Sequence, residues 1–349
     1  MVRPIHGGNL DWAAEIAGCA PDDILDFSAS INPLGIPPSA IALIRDNIDT
    51  LQHYPDPSYH KLRKALADHH GVTPEQIVVG NGAAELLTWG AYEGSKLTDF
   101  YLPSPCFADY RRAVKTFEIP TKFYPLDALE KGFKEDTSPS GLIINNPHNP
   151  TGKLWDKPTL QRHLNKFALV IIDEAFMDFI TPEYAPSLID LVTDYPNLIV
   201  VRSLTKFYAI PGLRLGYAIT NPQRCQTWQQ WRDPWSVNNF ASLVGETVIK
   251  DQEFQQKTYQ WLTPARIALE NALKQNPLFA PLPSAVNFLL VKTKIPSSQL
   301  QQKLLKQSQI LIRDCLSFPE LGDDFFRIAI RTPQENQRLI DALNMAYDP

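Results

Sequence analysis

The stretch Arg202–Tyr217, RSLTKFYAIPGLRLGY, decides how the rest of the chain is read. An apolar run, Leu198–Arg202, predicts a strand that delivers Lys206 into a serine- and threonine-rich turn, S-L-T-K. An amine that must form an imine has to sit close to an aldehyde and lose its proton easily. Partial burial and nearby positive charge both lower a lysine pKa, and Arg214 lies eight residues further on. By itself a lysine in such a turn reads as a surface residue. Ser203 and Thr205 offer two hydroxyls and Arg214 a guanidinium, a set suited to clamping a phosphate by charge-assisted hydrogen bonds.

Three more segments stand in a fixed order with this one. VIIDEAF, Val170–Phe176, ends a buried strand on Asp173. In an open parallel sheet ligands bind beyond the carboxyl ends of the strands. An aspartate there can pair with a pyridinium nitrogen and keep it protonated, although alone it also reads as the cap of a following helix. NNPHNPTG, Asn145–Gly152, ends another strand. GNGAAE, Gly80–Glu85, is a glycine turn entering a helix, where the backbone N–H groups of Asn81, Gly82 and Ala83 attract anions. It is not a dinucleotide fingerprint, for the third glycine is absent.

Around these segments, Ile77–Val79, Asp99–Leu102, Ile119–Phe123, Gly141–Asn145, Leu169–Asp173, Leu198–Arg202 and Arg214–Ile219 read as strands, several with helical patterns between them. They are Val/Ile/Leu runs without clean alternation, as in a parallel sheet covered on both faces. The fold class expected is α/β, a large domain with a mostly parallel seven-stranded sheet and a smaller C-terminal α+β domain. The length of 349 residues exceeds what one core usually supports. We expect an irregular N-terminal arm over 1–38 that contributes to the active site and the small domain. A large domain over 39–240 follows, then the small domain over 241–349. Helices are expected from Ser39, with Ser39 as N-cap, and over Tyr59–His70, stopped by Gly71. After about Asn238 a long helical region leads into AVNFLLVKT, QILIRDC, FFRIAIRT and a last helix from about Pro333.

Composition narrows the function classes. Lys and Arg number 33 and Asp and Glu 38, a formal charge of −5. There is no basic stripe of the kind a nucleic-acid binder shows. No run approaches the roughly 20 apolar residues of a membrane span, and MVRPIHGGNLDWAAE has no apolar leader core. The four cysteines form no CxxC and read as reduced thiols. His53, His60, His69 and His70 show no ligand spacing, so no metal is expected. A cytoplasmic protein with a small-molecule substrate, and with no nucleic-acid or membrane partner, is the expectation. His6-Gly7-Gly8-Asn9 puts an imidazole beside flexible glycines, and Asn32 sits in the turn Asn32-Pro33-Leu34-Gly35; each alone is more often structural.

Taken together, N-P-H-N-P-T-G, D-E-A-F and S-L-T-K-F-Y-A-I-P-G-L-R-L-G-Y resemble the fold-type I enzymes of pyridoxal 5′-phosphate (PLP), with the aspartate-aminotransferase-like fold, over nearly the whole chain. The branch is the one that holds the histidinol-phosphate aminotransferases and the threonine-phosphate decarboxylases of cobalamin synthesis. HGGN, FSASINPLG, the Lys206 segment and PWSVN look like the decarboxylases. The resemblance implies Lys206 as the Schiff-base lysine, Asp173 as partner of the pyridinium and Asn149 as donor to the phenolic oxygen. It implies Phe107, where relatives often carry Tyr, stacked on the ring. Ser203, Thr205, Arg214 and the Asn81–Ala83 backbone would hold the cofactor phosphate. Tyr54, in H-Y-P-D-P, would reach the phosphate of a neighbouring subunit's cofactor, which implies a homodimer with shared sites. Arg327 would bind the substrate carboxylate and Arg313 its phosphate, with His6, Gly8, Asn32 and Asn149 lining the substrate side. Phe176 stands where the aminotransferases commonly have a tyrosine.

The activity so implied is decarboxylation of L-threonine O-3-phosphate to (R)-1-amino-2-propanol O-2-phosphate, for the aminopropanol linker of cobalamin. Histidinol-phosphate aminotransferase is the alternative within the branch. A non-catalytic PLP-binding regulator is the alternative from another class, disfavoured by the intact Lys206, Asp173, Asn149 and Arg214.

Overall fold

The structure is a computed structural model and describes residues 3–133 and 139–346. Seven strands form the large sheet: β1 (Ile77–Asn81), β2 (Phe100–Ser104), β3 (Thr121–Pro125), β4 (Gly141–Asn145), β5 (Leu169–Asp173), β6 (Leu198–Ser203) and β7 (Leu215–Thr220). Their order across the sheet is β1-β7-β6-β5-β4-β2-β3. Only β7 runs against its neighbours, β1 and β6. The expected α/β class and mostly parallel seven-stranded sheet are both present.

Burial explains the strand sequences. Every residue of β4, β5, β6 and β7 is buried, so Val, Ile and Leu fill both faces rather than alternating with polar residues. Helix Ala83–Glu93 comes close to the sheet because it turns Gly90 toward it. A Cβ on Gly90 would lie 2.7 Å from Ile171 Cδ1, closer than packed carbons tolerate.

Two compact units are distinguished. One comprises Leu34–Pro147 and Leu154–Lys257, and contains the large sheet. The other comprises Met1–Pro33, His148–Lys153 and Thr258–Pro349. In this second unit Phe288–Thr293 pairs antiparallel with Phe279–Pro281 and with Phe325–Ala329. Leu25–Asp26 pairs parallel with Ile310–Leu311.

Several local expectations differ from what is observed. The boundary expected after residue 240 falls instead inside the long helix Gln252–Lys274, because helix Asn239–Val248 packs in the sheet-bearing unit. There Gly245 lies against Leu62, Leu204 and Leu215. The excursion His148–Lys153 belongs to the other unit, where the Gly152 carbonyl accepts from Ala285 N at 2.9 Å. The N-terminal stretch is not irregular throughout. Leu10–Ala17 is a helix, capped by the Asn9 side chain on Trp12 N and ended by Gly18 in the left-handed conformation. Ser39 is not an N-cap. The helix is Pro38–Asp46 with Pro38 at its first position, where a missing N–H costs nothing, and Ser39 Oγ donates to Asp251. His60–His70 does end on a left-handed Gly71.

A buried charge network ties the end of β6 to the segment that follows β5. Arg202 Nε donates to Glu174 at 2.8 Å and Nη1 to Asp178 at 2.6 Å. Ser187 Oγ and Leu188 N also donate to the Glu174 carboxylate. Burial opposes the Arg202 charge, but Glu174 and Asp178 outweigh it and hold its pKa above that of an ordinary arginine. Removing one partner of such a pair strands the other charge in a dry interior. Arg202→Met is therefore expected to destabilise the protein by about 3–5 kcal/mol. Chemical denaturation measures this, and a loss below about 1 kcal/mol would mean that the carboxylates find other partners.

Candidate active site

The carboxyl ends of β4, β5 and β6 lie side by side, and each strand ends on a residue with chemistry. Asn145 is in register with Asp173. Asp173 is 4% exposed. Its Oδ1 accepts from Ala175 N at 2.9 Å and its Oδ2 from the Tyr110 hydroxyl at 2.6 Å. Burial raises the Asp173 pKa, while the Tyr110 and Ala175 bonds and the nearby Lys206 ammonium oppose the rise. Tyr110 is a site residue that the sequence reading missed. It sits three residues after Phe107, on the helix Ala108–Thr116 that follows β2, and nothing local in the sequence points to a partner beyond β5.

Strand β6 ends on Ser203, and one helical turn, Leu204–Phe207, presents Lys206. Lys206 Nζ donates to Ser203 Oγ at 3.1 Å, and Ser203 Oγ and Thr205 Oγ1 are 2.7 Å apart. Phe176 is buried, with its ring centroid 5.9 Å from Lys206 Nζ, so an apolar wall stands where a phenol would offer a hydrogen bond.

Ser203 is in register with Gly216 on β7, and this glycine is required by what lies against it. A Cβ there would fall 2.5 Å from Ala83 N, at the start of helix Ala83–Glu93. Gly82, with φ +77°, precedes that helix, and a Cβ on it would meet Arg214 Nη2 at 2.6 Å. Arg214 itself adopts a left-handed backbone, φ +61°, uncommon for a residue with a side chain. So Ser203, Thr205, Gly82, Ala83 and Arg214 are brought to one place, with a guanidinium over a helix N-terminus: a cradle for an anion. Asn81 is exposed, and its N–H is taken by Glu85. Phe107 caps the helix that carries Tyr110, with its ring 5.5 Å edge-on to it. Tyr54 is 79% exposed and rests on Trp235, ring centroids 4.7 Å apart.

The fit to pyridoxal phosphate is specific. Asp173 is a buried acid that could meet a ring nitrogen, and Lys206 an amine that could meet an aldehyde. The Gly82–Arg214 cradle, which a Cβ would fill, suits a phosphate.

The other unit gathers the second set. Arg313 and Arg327 exchange both backbone hydrogen bonds, at 3.0 and 2.7 Å, as an isolated antiparallel bridge. Residues so paired point their side chains to the same side. Both arginines are nearly buried, at 7% and 8% exposure. Burial lowers the Arg327 pKa to about 10, with the Arg313 guanidinium adding to the effect, so Arg327 is still a cation at neutral pH. Arg327 donates to Asn149 Oδ1 and to the Ser28 carbonyl, while its Nε has no partner. Arg313 donates to the Ile5 carbonyl and to Ser317. His6, Gly8 and Arg313 line one pocket, with Gly8 N donating to Ser28 Oγ at 2.8 Å. Asn32 is buried, and its amide donates to Thr258. Ser28, which ties Gly8 to Arg327, was not singled out from the sequence. Among the described residues, no group of three or more His, Cys, Asp or Glu could hold a metal ion. No helix among them is long and apolar enough to cross a membrane.

Known proteins resemble this chain over nearly all its length. A threonine-phosphate decarboxylase of Salmonella typhimurium strain LT2 is 39% identical over 98% of this chain and 96% of its own. The crystal structure of L-threonine-O-3-phosphate decarboxylase from Porphyromonas gingivalis superposes with a TM-score of 0.83 at 26% identity, covering 92% of this chain and 98% of that one. Histidinol-phosphate aminotransferase from Sinorhizobium meliloti, solved in complex with pyridoxal-5′-phosphate, shares the fold with a TM-score of 0.85 at 22% identity, over 97% and 94% of the two chains. The pattern of class I and II aminotransferases runs through residues 22–343. The chain therefore belongs to the class I and II aminotransferase family, and its cofactor is pyridoxal 5′-phosphate.

Proposed function

We propose that this enzyme decarboxylates L-threonine O-3-phosphate to (R)-1-amino-2-propanol O-2-phosphate, the aminopropanol precursor of the cobalamin linker. The observation that carries the reading is the bridge that sets Arg313 and Arg327 side by side, both nearly buried. A substrate with a carboxylate at one end and a phosphate at the other matches two guanidiniums, each able to bind an oxyanion in bidentate fashion. The 39% identity to a threonine-phosphate decarboxylase supports it.

Bound pyridoxal phosphate supplies an aldehyde for the substrate amine and a protonated ring that draws electrons away from Cα. The residues of the chain do the rest. Asp173 would hold the proton on the ring nitrogen, and Ser203, Thr205, Arg214 and the Gly82–Ala83 backbone would anchor the cofactor phosphate. Phe107 would cover the ring, and Asn149, its Oδ1 committed to Arg327, would have its Nδ2 left to donate to the phenolic oxygen. Arg327 orients the carboxylate so that the bond from Cα to it is the one that breaks. Arg313 takes the substrate phosphate, with His6, Gly8 and Asn32 completing the pocket. Lys206 Nζ is the candidate donor of the proton that Cα would take up as carbon dioxide leaves. Phe176 offers no phenol, so the hydrogen bond to the phenolic oxygen falls to Asn149 alone.

The same reading makes the enzyme a homodimer in which Tyr54 of each subunit serves the other's cofactor phosphate; its 79% exposure in the single chain suits that role. It also places the enzyme in the cytoplasm, where four cysteines that form no disulfide belong.

Product analysis of the PLP-loaded protein tests the reaction. Carbon dioxide and aminopropanol phosphate are expected from threonine phosphate, and no glutamate from histidinol phosphate with 2-oxoglutarate. The reverse outcome would make it an aminotransferase. Lys206→Ala is expected to stay folded by circular dichroism and to lose turnover entirely. Arg313→Gln should lower kcat/KM for threonine phosphate by about tenfold or more, the worth of a hydrogen-bonded charge, and leave whatever turnover unphosphorylated threonine has unchanged. An equal loss on both substrates would remove Arg313 from the phosphate site.

A further inference from the structure

Asp173 lies in a fully buried position where a carboxylate is hard to keep charged, yet the proposed chemistry needs it charged. Two fixed donors meet it, one on each oxygen: Ala175 N on Oδ1 and the Tyr110 hydroxyl on Oδ2. The backbone donor comes with the turn after β5 and is available to any residue there. The phenol comes from a different element, and at 2.6 Å it is the shorter of the two bonds.

We infer that Tyr110 is a positioning residue for the cofactor: its hydroxyl keeps Asp173 an oriented carboxylate and so sets how firmly the ring nitrogen of pyridoxal phosphate is held. The inference rests on Asp173 being the partner of that nitrogen. A hydrogen bond to the charged form of an acid favours that form. A buried oxygen deprived of its donor bears the cost of its own desolvation.

The Lys206 ammonium also favours the Asp173 charge, and Asp109 acts against it. Cys106 and Tyr124 lie around Tyr110 and contribute no positive charge. Tyr110 itself is 1% exposed, and burial together with the adjacent Asp173 carboxylate raises its pKa well above that of an ordinary phenol. It therefore remains a donor across the whole working range of pH. Its ring packs edge-on against Phe107, the residue at the N-cap of the same helix, so the hydroxyl that braces Asp173 and the ring that would cover the cofactor are set by one helix start.

The sign of the pH effect follows. Burial raises the Asp173 pKa and the Tyr110 bond works against the rise. Without the hydroxyl, Asp173 takes up its proton at a higher pH, and affinity for the cofactor is lost as pH falls through that higher value. Tyr110→Phe removes one oxygen and keeps the ring. The experiment is a titration of the apoenzyme with pyridoxal phosphate, followed by absorbance between pH 5 and pH 9, beside wild type and Asp173→Asn. For Tyr110→Phe the expected results are a dissociation constant raised about tenfold, the worth of a hydrogen bond to a charged group, and an acid limb moved to higher pH. With saturating cofactor, kcat should fall while KM for the substrate is unchanged. Wild-type affinity and an unmoved limb in Tyr110→Phe, with Asp173→Asn impaired, would overturn the inference and leave the role of Asp173 standing. Unimpaired affinity in Asp173→Asn would overturn both. A lower melting temperature with no change in affinity or limb would mark Tyr110 as packing only.

Discussion

The buried guanidinium of Arg202 is the constraint on which the chemistry of the sheet depends. Arg202 and Glu174 directly follow, or directly precede, the residues that matter: Glu174 comes after Asp173, and Arg202 before Ser203. Side chains alternate along a strand. The ion pair on one face therefore leaves Asp173 and Ser203 to the other, and fixes the ends of β5 and β6 together. Asp178 and Ser187 each accept from a further nitrogen of Arg202, so all three guanidinium nitrogens are engaged. A polar network so engaged in a dry interior has few alternative arrangements, and it steadies the strand end from which Lys206 follows four residues after Arg202.

The face opposite repeats the principle with backbone instead of charge. Gly82 and Gly216 are the points where no side chain fits, since Arg214 and the start of a helix already occupy the space. Tight approach puts N–H dipoles and a guanidinium within reach of one anion. Asp173, braced by Tyr110 and Ala175, stands at the end of the neighbouring strand. Each group that would hold pyridoxal phosphate is thus placed by something bulky or charged behind it.

Much of this was legible in the sequence. Gly141–Asn145 and Leu169–Asp173 have the expected ends, because continuous Val/Ile/Leu runs bounded by polar residues leave little freedom in where a buried strand stops. Asp173, Ser203 and Lys206 could be placed at neighbouring strand ends because their order along the chain follows the order of the strands. The helix Leu10–Ala17 was hidden by the glycines before it, although Asn9 caps it in the ordinary way. The division into units was hidden because it is not continuous in sequence: six residues, His148–Lys153, leave the company of the strand they follow. Tyr110 was invisible since its partner is 63 residues away. The pairing of Arg313 with Arg327 is likewise a matter of sheet register, which spacing alone does not disclose.

That pairing has a thermodynamic consequence. Two cations share one side of a bridge, and the carboxylates around them are engaged: Asp314 with Arg3 and Asp26 with Ser28. The chain is acidic as a whole, with a net charge of −5, yet here it carries a local excess of positive charge that repels itself. An oxyanion entering between the guanidiniums would relieve that repulsion in the native state and find no equivalent in the unfolded one. By mass action such a ligand adds RT ln(1 + [L]/Kd) to the stability of the fold. The substrate, and even inorganic phosphate at sufficient concentration, would then act as a thermal protectant of the protein, and the heat resistance of the enzyme would track the phosphate content of the medium around it.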